Sequence, residues 1–151
     1  MKSQDSPKQV LVIHGPNLNM LGKRQPAIYG TTSLDEINAD LKRTAKTLGL
    51  MIETFQSNHE GEIVEKIQQA ADTCNGIIIN PAAYTHSSIA IRDALLLLKA
   101  PIIEIHLSNI DSREAFRRTS MIADIATARI AGFGPRGYVM ALKAMAEMIS
   151  S

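Results

Sequence analysis

Val10-Leu11-Val12-Ile13, Ile77-Ile78-Ile79 and Ile102-Ile103-Glu104-Ile105-His106 are short, β-branched-rich runs, each followed by polar or turn-forming residues. Runs of this kind predict strands buried on both faces. Leu50 to Phe55 alternates weakly as a second strand, and Ile125 to Ile130 is a candidate fifth. Helical spacing fills the intervals. Ser33 with Glu36 makes a capping box, and Leu34, Ile37, Leu41, Ala45 and Leu48 recur on one face up to Gly49, a natural residue for the helix end. Asn58 is placed to cap a helix bearing Ile63, Ile67, Ala70, Ala71 and Cys74, closed by Asn75-Gly76. Thr85 or Ser87 can cap one bearing Ile91, Ala94, Leu95 and Leu98, which Pro101 stops. Ser112 can cap a short helix around Glu114 to Arg118, and Tyr138 to Ile149 forms a terminal helix. Met20 to Thr32 carries Gly22, Pro26 and Gly30 without periodicity, and a loop of that length in a compact domain is a candidate lid.

Strict alternation of strand and helix with short joints predicts an α/β three-layer sandwich, a parallel sheet with helices on both faces. Five strands suggest the flavodoxin-like order 2-1-3-4-5, whose crevice lies at the carboxyl ends of the first and third strands. Those ends carry unusual polar groups: His14-Gly15-Pro16-Asn17, Asn80-Pro81 running on to His86, and, next door, His106-Leu107-Ser108.

Composition narrows the class. The 151 residues hold 16 Lys+Arg against 15 Asp+Glu, a net charge of +1, with 45% hydrophobic and 21% charged residues. Neither disorder nor electrostatic binding to nucleic acid is favoured by that balance. The apolar stretch Ala94 to Leu98 is broken by Lys99 and Pro101, well short of the ~20 residues that span a bilayer, so no membrane partner is expected. Residues 1–8 are polar, lack an apolar signal region and read as a solvated tail before a single domain over 9–151, with the cytoplasm as the expected compartment. Cys74 has no second cysteine to pair with and reads as a small buried residue.

Glu104 and His106 are two apart on a strand, hence on one face, where a carboxylate can orient an imidazole for acid–base work near neutral pH. Lys23, Arg24 and Tyr29 place two cations near a phenol, and a neighbouring guanidinium favours the phenolate. Arg113 and Arg117, one helical turn apart, suit an anionic ligand, whereas Arg118 suits a solvated face. His14, His86 and His106 raise a rival zinc site, but none has HExxH or HxH spacing, and Asn17 and Asn80 beside them are weak zinc ligands. His59 reads as helix-capping surface. Ser87, Ser88 and Ser108 lack a GxSxG elbow. Gly132-Phe133-Gly134-Pro135-Arg136-Gly137 matches GxGxxG, yet too little chain follows for the ribose-binding acid, and the glycines read as turn residues. A phospho-acceptor receiver would need acidic residues where His14 to Asn17 and Asn80 stand.

Taken in order, His14-Gly15-Pro16-Asn17-Leu18-Asn19, Gly22 with Arg24, Pro26, Tyr29 and Gly30, Asn80 to His86, Arg92-Asp93-Ala94, Glu104 to Asn109, Arg113-Glu114 and Phe116-Arg117 resemble the type II 3-dehydroquinate dehydratases. The resemblance covers nearly the whole chain after the tail. After Arg118 the chain reads Thr119-Ser120-Met121, where relatives often carry a histidine before the serine and an aromatic residue after it. The resemblance implies a flavodoxin-like hydro-lyase of the shikimate pathway that dehydrates 3-dehydroquinate to 3-dehydroshikimate by anti elimination through an enolate, with no cofactor and no metal. It implies Tyr29 as base, Arg24 as the cation that lowers the Tyr29 pKa, His106 as acid, and Asn17 as holder of a water beside the enolate oxygen. Leu107 and Ser108 would receive the substrate carboxylate on backbone N–H groups, and Asn80, His86 and Arg117 would bind ring hydroxyls. Asp93 would reach a neighbouring subunit's site, Arg113 would close over the substrate or steady the lid, and the assembly would be a homo-oligomer, a dodecamer of four trimers. Glu104 as the orienter of His106 follows from strand period rather than from the resemblance. A binding protein that keeps the pocket without catalysis is the rival from another class, and a metal-dependent hydrolase is a third. Both Tyr29 and His106 are present, and a pure binder needs neither.

Overall fold

The computed structural model describes residues 6–23, 27 and 30–150. Five strands, β1 (Gln9–His14), β2 (Met51–Gln56), β3 (Gly76–Asn80), β4 (Ile102–His106) and β5 (Ala128–Ala131), form one sheet in the order β2-β1-β3-β4-β5. All four pairings are parallel, as the β-α alternation predicts. Among the described residues four α-helices cover the sheet: α1 (Leu34–Leu48), α2 (Glu60–Ala70), α3 (Ile89–Leu95) and α4 (Arg136–Ile149). No helix among the described residues is long and apolar enough to cross a membrane.

The alternation of side chains along each strand divides the core in two. Val10, Val12, Ile78, Ile103 and Ile105 pack under Ile37 and Leu41 of α1 and under Tyr138, Leu142 and Met145 of α4. Leu11, Ile13, Ile77, Ile79 and Ile102 pack under Ile63 and Ile67 of α2 and under Ile91 and Leu95 of α3. Strand period therefore sends His14 and Asn80 to the α1/α4 side, and Glu104 and His106 to the α2/α3 side.

Local chemistry explains where elements begin and end. Ser33 caps α1 by accepting from the Glu36 N–H at 3.2 Å, and Gly49 ends it with φ +71°. The expected cap at Asn58 does not form: its Oδ1 accepts from Asn17 N–H at 2.9 Å and from Gln56 at 3.2 Å. His59 holds the cap position of α2 without a side-chain cap bond. For α3 the cap is Ser88, whose Oγ accepts from Ile91 N–H at 2.9 Å, rather than Thr85 or Ser87, and the helix ends at Leu95. Thr85 lies in a preceding 3-10 turn (Ala82–His86), where its hydroxyl serves Glu104 instead. The short helix expected at Glu114 to Arg118 is replaced by two 3-10 turns, Ile110–Ser112 and Ala115–Arg117, the first capped by Asn109 rather than Ser112. β5 starts at Ala128, later than expected, because Ile125 and Ala126 close a turn by donating to the Ile122 carbonyl. Cys74 is half-buried, not buried.

Candidate active site

The carboxyl ends of β1, β3 and β4 and the turns after them line an open cleft. Asn17, Asn80, His86, His106, Leu107, Ser108, Arg113 and Arg117 all line it. It lies where the strand order reverses, the place at which an open parallel sheet leaves a crevice between diverging connections.

Each wall has a local cause. The first turn leaves β1 through Gly15, where an added Cβ would collide with the Pro81 carbonyl, so only glycine lets the β1 and β3 exits approach this closely. Asn17 follows in the left-handed region at φ +68°, which asparagine tolerates better than most residues. After β3, Asn80 turns its Oδ1 back to the Ala82 N–H at 3.0 Å and so fixes the 3-10 turn that carries His86. His86 Nδ1 is 2.8 Å from the Thr119 carbonyl, to which it donates. Behind the end of β4, Gly132 and Gly134 have φ of +91° and +63°, and their N–H groups donate to the His106 and Leu107 carbonyls at 3.3 and 2.9 Å. The GxGxxG sequence is thus a tight turn that braces the cleft.

His106 and Glu104 form the most developed polar group. His106 Nε2 is 2.5 Å from Glu104 Oε2, leaving Nδ1 as the ring nitrogen that Glu104 does not engage. Glu104 is fully buried. Its Oε2 also accepts from the hydroxyls of Thr85 (3.0 Å) and Ser120 (2.8 Å), and its Oε1 from Arg129 Nε (3.0 Å). Burial alone would raise its pKa. Hydrogen bonding and charge from His106, the Ser120 hydroxyl and the Arg129 guanidinium outweigh that and bring it down to about 2. The carboxylate therefore stays ionised at neutral pH, able to hold the imidazole in one orientation.

Arg113 and Arg117 also bring two cations to the cleft wall, from the successive 3-10 turns. The two arginines converge although the helix that would have aligned them is absent. Arg117 Nε donates to Glu114 Oε2 at 2.6 Å. Arg118 is exposed and is not in the lining. Asp93 is likewise exposed on α3 and does not line the cleft of its own chain. Arg24 and Tyr29 lie outside the described residues. Of their flanks, Leu21 lines the cleft and Gly22 packs against the Thr31 carbonyl.

The three histidines weighed as zinc ligands do not converge. His14 is buried on the α1/α4 side, with both ring nitrogens engaged by Tyr138 and Asn38. Among the described residues no group of three or more His, Cys, Asp or Glu side chains is placed to hold a metal ion. Thr85, Ser120 and Arg129 around Glu104, and Asn38 and Tyr138 around His14, escaped the sequence reading. Arg129 is the register partner of Glu104 across β4 and β5, a relation that no local pattern reveals. Tyr138 did carry a signal, as a lone aromatic on an aliphatic helix face.

Residues 8–146 match the sequence profile of the family described as Dehydroquinase class II. The chain is 62% identical over 133 residues to the 3-dehydroquinate dehydratase of Francisella philomiragia subsp. philomiragia, covering 88% of this chain and 90% of that one. It is 56% identical over 135 residues to the 3-dehydroquinate dehydratase of Roseiflexus castenholzii, covering 89% and 86%. The fold superposes on the crystal structure of type II dehydroquinase from Propionibacterium acnes with a TM-score of 0.90 and 46% identity, over 94% of this chain and 99% of that one. Sequence and fold agree over almost the same span, and the chain belongs to the class II dehydroquinase family.

Proposed function

We propose that this chain is a 3-dehydroquinate dehydratase, a hydro-lyase that converts 3-dehydroquinate to 3-dehydroshikimate. The observation that carries the reading is the buried, ionised Glu104 bonded to His106 at the edge of a cleft that also holds two arginines and two asparagines. That combination suits an anionic, polyhydroxylated substrate and a proton delivered to a leaving hydroxyl.

In the reaction the Tyr29 phenolate removes a C2 proton, and the electron pair of that C–H bond passes into an enolate with the C3 carbonyl. Arg24 favours the phenolate and offsets the developing charge. The enolate collapses to form the C1–C2 double bond and expels the C1 hydroxyl, which takes a proton from His106 and leaves as water. Glu104 holds the imidazole ring in place before and through that transfer. Asn17 holds a water that donates to the enolate oxygen. Leu107 and Ser108 receive the substrate carboxylate on their backbone N–H groups, Asn80, His86 and Arg117 take ring hydroxyls, and Arg113 closes over the bound molecule. The route uses no metal, nucleotide or Schiff base.

The same reading places the protein in the cytoplasm, in aromatic biosynthesis or quinate breakdown, as one catalytic domain over residues 9–151 after a short tail. It also makes the active form a homo-oligomer, a dodecamer of four trimers, in which Asp93 serves a neighbouring subunit's cleft. The exposed position of Asp93 supports this, as do the apolar side chains of Ile89, Leu96 and Leu97, 61%, 56% and 63% exposed on and just after the same helix.

An ultraviolet assay of the purified protein with 3-dehydroquinate, with and without EDTA, tests the activity. The conjugated enone carboxylate of the product is expected to appear at the same rate in both. Ligand binding without product would make the chain a binding protein, and loss of activity with chelator would make it a metal enzyme.

A further inference from the structure

His14 and Asn80 are register partners on β1 and β3, and Tyr138 of α4 reaches both of them. His14 and Tyr138 are fully buried and Asn80 is 3% exposed, yet the dehydration route gives no task to His14 or Tyr138. Their hydrogen bonds run in one direction only. The Ala82 N–H donates to Asn80 Oδ1 at 3.0 Å, so the contact from Asn80 to the Tyr138 hydroxyl, at 3.1 Å, is made by Nδ2 as donor. Having accepted there, the Tyr138 hydroxyl donates its own hydrogen to His14 Nδ1 at 2.9 Å. Nδ1 then carries no hydrogen, so Nε2 carries it and donates to Asn38 Oδ1 on α1 at 2.8 Å. One backbone N–H thus sets the direction of every bond from Ala82 to Asn38. Among the described residues one Asn80 amide hydrogen has no acceptor, and Asn80 lines the cleft.

We propose that Tyr138 and His14 are positioning residues that lock the Asn80 side chain with its nitrogen as the donor offered to substrate, so that this subsite selects a ring oxygen acting as acceptor. The inference rests on the dehydratase reading. A protonated His14 would weaken the lock, since its Nδ1 would then donate to the Tyr138 oxygen and the hydroxyl's own hydrogen would lose its acceptor. Burial opposes this, lowering the His14 pKa to about 4 even though the Asn38 bond pulls the other way. Burial likewise lifts the Tyr138 pKa above the ordinary phenol value, against the pull of the Asn80 bond. The groups that face the imidazole, Asn38 from α1 and Tyr138 from α4, are both uncharged at neutral pH.

Steady-state kinetics of the full-length protein with 3-dehydroquinate test the lock through a double-mutant cycle of Tyr138→Phe and Asn80→Ala. Tyr138→Phe is expected to raise KM by ~5-fold or more, the equivalent of one hydrogen bond, with kcat changed by less than about twofold. In the Asn80→Ala background the same substitution is expected to add almost nothing. Leu142→Ala, which opens a cavity one turn further along α4, is expected to lower thermal stability and leave KM alone. If Tyr138→Phe does not fold, the His14 variants carry the test: His14→Leu raises KM, and His14→Gln, whose amide oxygen can accept from Tyr138, restores it. An unchanged KM in Tyr138→Phe, an undiminished effect in the Asn80→Ala background, or an equal KM rise in Leu142→Ala would overturn the proposal. A wild-type protein that makes no product would overturn the activity reading instead. The lock then stands or falls on the nitrogen-15 shifts of His14, which must report a neutral ring with its proton on Nε2 at pH 7.

Discussion

Tyr29→Phe is expected to lower kcat by ~100- to 10,000-fold, the range spanned by a lost general base, while 3-dehydroquinate still binds within about threefold of the normal affinity. The substitution keeps the ring and removes only the oxygen that takes the C2 proton. That oxygen acts mainly in the transition state, so its loss falls on the chemical step rather than on ground-state binding. The measurement is a pair: kcat from product absorbance and the dissociation constant from calorimetry. Near-normal turnover would place the base elsewhere. A comparable loss of affinity would mean that the phenol is a binding group.

His106→Ala is expected to cost at least ~100-fold in kcat, the lower bound for a general acid. Its pattern should differ from that of Tyr29→Phe. With the base intact, the enolate still forms and returns, so the C2 hydrogen continues to exchange with D2O while the C1 hydroxyl fails to depart. Exchange without elimination, followed by mass spectrometry of recovered substrate, is therefore the signature of a missing acid. The variant also leaves the Glu104 carboxyl group beside an empty space, although Arg129, Thr85 and Ser120 still hydrogen-bond to it. If both exchange and elimination persist at the normal rate, His106 is not the acid.

The fold was legible because its signals were local. The apolar runs at Val10, Ile77 and Ile102, and the capping box at Ser33 with Gly49 beyond it, state their structure within a few residues. Boundaries failed where a side chain had a distant partner. Asn58 did not cap α2 because it was pinned to Asn17, and Thr85 did not cap α3 because Glu104 held its hydroxyl. The failure at Glu114 to Arg118 had another source: residues 110–117 form two 3-10 turns that a helical reading of the charged positions cannot foresee. Within the cleft, strand period alone put Glu104 and His106 on one face. What completes that pair, the Arg129 guanidinium from β5 and the Ser120 hydroxyl, depends on register and on an irregular loop, and neither leaves a periodic trace. The same holds for the line from Asn80 through Tyr138 and His14 to Asn38, assembled from two strands and two helices far apart in the chain.

The account turns on removal of the C2 hydrogen that lies anti to the departing C1 hydroxyl, by a base and an acid on opposite sides of the ring. The most direct test is turnover of 3-dehydroquinate carrying a single deuterium at that C2 position, with the product weighed by mass spectrometry. Product that has lost the deuterium is the predicted result. Product that retains it would contradict the anti elimination, and the absence of product would contradict the dehydratase assignment.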